Sequence, residues 1–341
     1  DMSNGGILRI AGSMTAPNVG TWTPGAGTIE YYGAAQTVYS NTYNNLTISG
    51  SGTKTISSVT INGNFTNNGT LTAGTGTVTF NGSSAQTIGG SSSTTFYNLT
   101  INNSNGVTLG TSESVSGTLT LTSGKVTTGD YKLTLGTGTG TLGTLSPANP
   151  SSSSYIAGNF ERWFAVATNS DFVIFPVGTA TSFKPVGIKF TTAPTAGGKI
   201  LVTSYISDPQ THNTSNLNDA GYTIDRFSNQ VWWQITPTTL TGGTYKIELG
   251  AYNIDGVSPS NYKKLRVLKR ADSSSLWTLS GTHADASGSN TEPLVTRSGL
   301  SGFSQFGIGG NAADGNTLTT SVSPVQLASL TSSITGRNVS L

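Results

Sequence analysis

Two histidines, His212 and His283, and fifteen acidic residues are the acid–base groups of this 341-residue chain, which has no cysteine. Cleavage of a glycosidic bond needs two carboxylates, or a base with Lys or Arg partners, gathered on one face. Residues 10–112 hold two charged residues, Glu30 and Lys54, so no carboxylate pair can be assembled there. Carboxylates return later, among them Glu161, Asp171 and Asp225, but in no spacing that marks a catalytic set. Neither histidine lies in a nucleophile motif, and the H-E-x-x-H and EF-hand patterns are absent. The segment GTHADASGSNTE, residues 281–292, gathers His283, Asp285 and Glu292, which would suit either a Ca²⁺ loop or an ordinary polar hairpin; the hairpin is the expectation. NIDGVS, residues 253–258, reads the same way. The chain is therefore expected to have no catalytic residues, no cofactor and no metal site.

Aromatic residues are the second chemical resource. Trp22, Tyr31, Tyr32, Tyr39, Tyr43, Phe96 and Tyr97 fall at or near matching places in a repeat. Exposed in a row, Trp22, Tyr31, Tyr39, Tyr43 and Tyr97 would stack on sugar rings and bind surface glycans. Strand alternation turns half of any such set inward, so core packing is the competing reading.

These residues must be positioned by strands. Only 9% of the chain is charged, against roughly 25% in ordinary soluble domains, and 44 residues are glycine. Segments such as GTVTFNG, GTLTLTSG and KLTLG alternate with period two between Gly and Asn, which argues for short strands and against disorder. Net charge is +2, and the one basic run, YKKLRVLKR (residues 262–270), suits an edge strand with its cations toward solvent. No nucleic-acid partner is expected. No apolar run is long enough for a transmembrane helix, and no membrane insertion is expected. The start, Asp-Met-Ser-Asn, reads as a processed or truncated terminus.

The first half repeats itself. Residues 10–38 align with residues 61–88, and QTVYSNTYNNLTI with QTIGGSSSTTFYNLTI; a partial third copy starts at VSGTLTLTSG, residue 115. Such a unit cannot bury its apolar face alone, so the copies are expected to stack as a parallel β-solenoid, right-handed and β-helix-like. Inward positions would be Ile29, Val38, Leu46, Ile48, Val78, Phe80, Ile88, Leu99 and Ile101. Asn45 and Asn98, which match in the repeat, would form a ladder bonding successive coils. A β-sandwich is the alternative fold for this half.

Composition changes at LSPANPSSSSY, residues 145–155, after which come most of the charged residues and four of the five tryptophans. Nine or so strands without helices predict an antiparallel β-sandwich, with Trp163, Trp232 and Trp277 in the core and Trp233 facing away. The expected organisation is all-β: a solenoid over 1–147, a sandwich over 152–312 and a C-terminal extended strand segment over 313–341.

That segment, SVSPVQLASLTSSITGRNVSL (residues 321–341), resembles the opening strands of the fibronectin-III-like module in type IX-secreted surface proteins of Bacteroidota. Pro324, Val325, Leu327, Val339 and Leu341 match its pattern. The upstream FPVG, KPVGIKF, VWWQI and GLSGFSQFGIGG, and the solenoid repeats, are similar to those proteins too. The resemblance implies export, an extracellular or cell-surface location, and a structural or adhesive role; it carries no catalytic residue. About two strands of the module are present, too few to close a sandwich. The segment is either a truncated module or a donor strand. As a donor, Val325, Leu327, Ile334, Val339 and Leu341 would add to the open solenoid end of another copy, where GGILRIAG supplies Ile7, Leu8 and Ile10. Head-to-tail addition of this kind makes filaments. The expected partner is therefore the chain itself, and the alternative role is that of an adhesin or carbohydrate-binding module.

Overall fold

The structure, a computed structural model, describes residues 4–14, 25–207, 213 and 216–318. Its first part is a parallel β-solenoid of about 8 turns spanning residues 7–178, and its second part is antiparallel. Each turn carries up to three short strands, one per face. The first face stacks Ile7–Ile10, Thr28–Tyr31, Asn45–Ile48, Phe65–Asn67, Gln86–Gly89 and Val107–Leu109 in parallel register. The third stacks Thr42–Tyr43, Val59–Ile61, Thr77–Phe80, Asn98–Asn102, Thr118–Ser123 and Thr144–Ser146. Between them in each turn lies a second face, made of Gln36–Thr37, Thr53–Ile56 and Thr70–Ala73 and, further along, of Thr95–Phe96 and Glu113–Val115.

Strands alternate one residue in, one out, and stacking in register turns that alternation into apolar columns. On the first face Leu8, Ile29, Leu46, Phe65, Ile88 and Leu109 lie one above the next. All nine positions expected inward, from Ile29 to Ile101, are buried. Each such side chain contributes about 1.5–3 kcal/mol of burial. This is why a chain so poor in charge and helix can hold a core.

The sequence repeat and the structural turn have different lengths. Matching segments, such as Thr28–Tyr31 and Thr77–Phe80, or Asn45–Ile48 and Asn98–Asn102, stand eight strands apart. In a three-faced coil eight strands make two turns and two further faces, so matching segments land on different faces. Asn45 lies on the first face and Asn98 on the third, and the expected ladder of one upon the other does not form. Each asparagine nevertheless bonds the following turn: Asn45 Oδ1 accepts from Asn64 N–H and Asn98 Oδ1 from Thr118 N–H, both at 2.8 Å.

The Pro/Ser segment, past the strand Thr144–Ser146, is a long loop within the coil over residues 147–155. Parallel pairing resumes after it, Val126 with Ile156 and Ile156 with Val177. The strands Val126–Leu135 and Ile156–Phe164 each turn a corner from the first face to the second, with their register broken between Thr127 and Lys132. Gly158 makes the corner possible. Its φ is +128°, and a Cβ there would stand 2.1 Å from Thr128 Oγ1.

Beyond the corner, Ile156–Phe164 pairs antiparallel with Gly198–Tyr205, so one strand closes the solenoid and opens the second part. The ladder continues through Arg226–Thr238 and Gln305–Gly310 to Arg266–Arg270, its last strand. A second antiparallel sheet orders Val173–Phe175, Val186–Thr192, Thr244–Gly250, Pro293–Leu300 and Thr282–Gly288. The two sheets face each other, with Phe160 and Phe164 from one meeting Phe175 and Phe190 from the other at ring distances of 5.6–6.2 Å.

Two expectations about this part are corrected. The tryptophan inside the main core is Trp233, not Trp232, because Val231, Trp233 and Ile235 share the inward side of their strand. Trp232 stacks on Tyr205 at 4.1 Å on the other side, and Trp163 is only half-buried, with Lys199 over its ring. Trp277 is buried as expected. The basic run does supply the edge strand of the ladder, but Arg266 and Arg270 are buried in place of facing solvent; Arg270 lies 4.3 Å over the Trp277 ring.

Candidate functional site

The strand Ile7–Ile10 ends the solenoid ladder. Among the described residues it has one hydrogen-bonded neighbour, Thr28–Tyr31, and its other edge is open. Leu8 tops the first-face column and is 43% exposed, while Ile29 directly beneath it is 2% exposed. Ile7 points outward and is 66% exposed; Ile10 is half-buried against the core. The outward side is fixed by Arg9, whose Nε donates to Glu30 Oε2 at 2.8 Å, and Glu30 also accepts from Ser49 Oγ at 2.5 Å. These bonds hold the Glu30 carboxyl below its ordinary pKa, the Ser49 bond contributing most. The three expected acceptor residues are thus brought together at one end. The expected donor residues Val325, Leu327, Ile334, Val339 and Leu341 lie outside the described residues.

At the opposite end of the ladder, Thr317 N–H bonds Gly256 O and Leu318 is buried in the core. Gly256 belongs to the loop that leads into Arg266–Arg270, the strand farthest from Ile7–Ile10. Leu318 therefore lies at the end of the ladder remote from the open edge.

The aromatic row is not a surface feature. Tyr31 and Tyr43 are fully buried, their hydroxyls 3.0 Å apart, and Tyr43 Oη also donates to Tyr39 O. They fill the inward positions that Phe80 and Phe96 fill in the next repeat. Neither can stack on a sugar. Tyr39 is half-buried and its N–H donates to Tyr31 Oη at 3.1 Å; Tyr97 is exposed; Trp22 lies outside the described residues.

Residues 281–292 form the hairpin. Thr282–Gly288 pairs with Pro293–Leu300, and the turn closes with Glu292 N–H on Ser289 Oγ at 3.1 Å. His283 Nε2 stands 3.7 Å from Asp285 Oδ1, and burial pushes its imidazole pKa down to about 4, so the ring is neutral at pH 7. His212 is outside the described residues. No group of three or more His, Asp or Glu among the described residues is placed to hold a metal ion.

Behind that hairpin lies the densest set of charges, where Arg297 grips Asp219 through two 2.9 Å bonds. Arg266 Nε is 3.3 Å from the same carboxylate, and its guanidinium lies 4.1 Å over the Tyr222 ring. The Arg297 bonds, above all, hold the Asp219 carboxyl below its ordinary value. The cluster ties the small hairpin Leu217–Asp219/Tyr222–Ile224 to the sandwich, and its charges are spent on one another.

Two ionisable groups escape sequence reasoning, a buried glutamate and a half-buried arginine. Glu113 sits in the second face, accepting from Thr94 N–H at 2.6 Å and Thr111 Oγ1 at 2.5 Å, with its pKa pushed up to about 7 by burial. Arg162 lies between Phe160 and Phe164 in FERWF, and that alternation was the legible sign of an inward arginine. Comparison with protein-family models, curated proteins and solved structures finds no match.

Proposed function

We propose that the chain is a non-catalytic structural protein of an extracellular surface, self-associating head to tail by β-strand addition into a filament or sheath. The observation that supports it is the column that ends at Leu8: among the described residues, an apolar stack and the free edge of a strand stand at one end of a long ladder. Unpaired parallel edges invite another strand, and main-chain bonds supply the affinity. The proposed donor is the chain beyond Leu318; Leu318 itself lies at the remote end, which favours joining to a neighbour over folding back. A contact between two different ends does not close and so propagates. The location follows from the resemblance of short motifs to type IX-secreted surface proteins of Bacteroidota. Glycan binding through solenoid aromatics loses its support with Tyr31 and Tyr43 in the core.

The test is electron microscopy and sedimentation velocity of the full chain beside a chain ending at Leu318, the last described residue, which is buried in the core. Filaments from the first and monomers from the second are expected. Monomers from both chains at every concentration overturn the proposal.

A further inference from the structure

Arg162 is a half-buried cation with no ion pair among the described residues. It occupies the inward side of Ile156–Phe164 with the core aromatics Phe160 and Phe164. Its Nη1 donates to Ile174 O at 2.8 Å, and its Nε is buried with no partner. Glu161 beside it is matched, taking Lys132 at 2.9 Å and Lys199 at 3.1 Å. Burial pushes the Arg162 pKa down to about 10, which leaves it cationic at neutral pH. A partly desolvated guanidinium with one hydrogen bond among the described residues is costly, and an anion placed against it offsets the cost.

There is room for one. Arg162 lines a cavity of about 330 Å³ where the last solenoid turns meet the sandwich. Thr144, Asn169, Ser170, Asp171 and Phe172 share its wall. That wall is braced: Lys189 Nζ donates to Ser170 O at 2.5 Å, Ser170 Oγ to Asp171 Oδ2 at 3.1 Å, and Asn169 Oδ1 accepts from Phe190 N–H at 3.1 Å.

We propose that this cavity binds a uronic-acid residue of an acidic glycan, the Arg162 fork taking the carboxylate and Asn169, Ser170 and Asp171 taking ring hydroxyls. A guanidinium fork matches a carboxylate through two parallel bonds. Asp171 decides the class. It accepts hydrogen bonds and repels charge, so it suits a ligand with one carboxylate among several O–H donors. An acidic peptide, with clustered carboxylates and few donors, meets repulsion there. The site is independent of the assembly reading, because it lies far along the chain from the Ile7–Ile10 edge and uses none of its residues.

Isothermal titration of the full chain at low ionic strength with tri-galacturonate, its methyl ester and a tri-glutamate peptide tests it. Binding of tri-galacturonate, at least tenfold weaker binding of the ester, and weaker binding of the peptide are expected. Arg162→Met keeps the apolar stem and is expected to lose at least tenfold in affinity with an unchanged circular-dichroism spectrum. Should that variant not fold, discrimination between acid and ester by the parent chain decides alone. No binding of tri-galacturonate at millimolar concentration, equal binding of acid and ester, an unaffected folded Arg162→Met, or tighter binding of tri-glutamate each overturns the proposal.

Discussion

The side-chain amide of Gln86 donates to the carbonyl of Ile61, in the preceding turn, at 2.9 Å. Gln36 does the same to Ile10, also at 2.9 Å, and in the repeat Gln36 matches Gln86 as Ile10 matches Ile61. The repeat therefore preserves a clamp between turns even though it does not preserve the face. The two clamps are unequal. Each amide also holds a second carbonyl, Gly63 O for Gln86 and Gly12 O for Gln36, but Gln86 Oε1 accepts from Gly82 N–H and Asn103 Nδ2, whereas Gln36 Oε1 is buried without a partner among the described residues. Gln86→Leu is expected to cost about 2–3 kcal/mol and Gln36→Leu about 1, read from urea unfolding midpoints at unchanged slope. Equal costs would mean that the extra partners of Gln86 contribute nothing.

What was legible follows from the same logic. Period-two alternation names inward residues without knowing the face, so Ile29 to Ile101 were readable as core. The face was not readable, because a repeat of eight strands is out of step with a three-faced coil, and the Asn45–Asn98 ladder failed for that reason. Trp232 and Trp233 were assigned the wrong way round although Val231 and Ile235, two residues either side of Trp233, mark its side as apolar. At the candidate sites, Ile7, Leu8 and Ile10 were readable as one strand. Arg162 was missed because its significance is the lack of an ion pair among the described residues, which emerges only from three-dimensional packing.

Glu113 and His283 titrate in overlapping windows with opposite signs. The Glu113 pKa is raised from 4.5 to about 7, so the folded state holds a proton the unfolded state has released, and stability falls as pH rises through that window. The His283 pKa is lowered from 6.5 to about 4, so the unfolded state holds the extra proton, and stability rises with pH over its window. Between pH 4.5 and 6.5 the two largely cancel. Glu113→Gln is expected to expose a stability that increases by roughly 2–3 kcal/mol across those two units, and His283→Phe one that decreases by a similar amount. Glu248, raised by burial, adds to the second slope. Denaturant unfolding at pH 4.5, 5.5 and 6.5 measures both, and slopes of the same sign would contradict the assignment.

Asp219 neutralises two buried arginines, so its removal costs more than its own bonds. Asp219→Ala leaves Arg297 and Arg266 desolvated without a carboxylate, an expected loss of about 3–5 kcal/mol. The loss is local at first: amide exchange should accelerate in Leu217–Asp219 and Tyr222–Ile224 before the solenoid is affected. Adding Arg297→Met should recover part of the stability, because it removes one of the orphaned charges. Uniform acceleration across the chain would show the cluster to be coupled to the whole fold and not to the hairpin alone.

The open edge yields the last expectation. Ile7 points outward from the terminal strand and has nothing to lose on substitution, so Ile7→Lys should change the stability of a single chain by less than about 0.5 kcal/mol. It places an ammonium where an incoming strand must lie, a device by which natural edge strands refuse partners. If the edge accepts a strand, Ile7→Lys weakens self-association at least tenfold by sedimentation velocity while leaving the thermal midpoint in place. Replacing Tyr97, exposed but on the side of the solenoid away from that edge strand, should leave association untouched. The comparison separates pairing at Ile7–Ile10 from general surface stickiness: association that survives Ile7→Lys, or that Tyr97→Ser weakens as much, removes this strand as the acceptor.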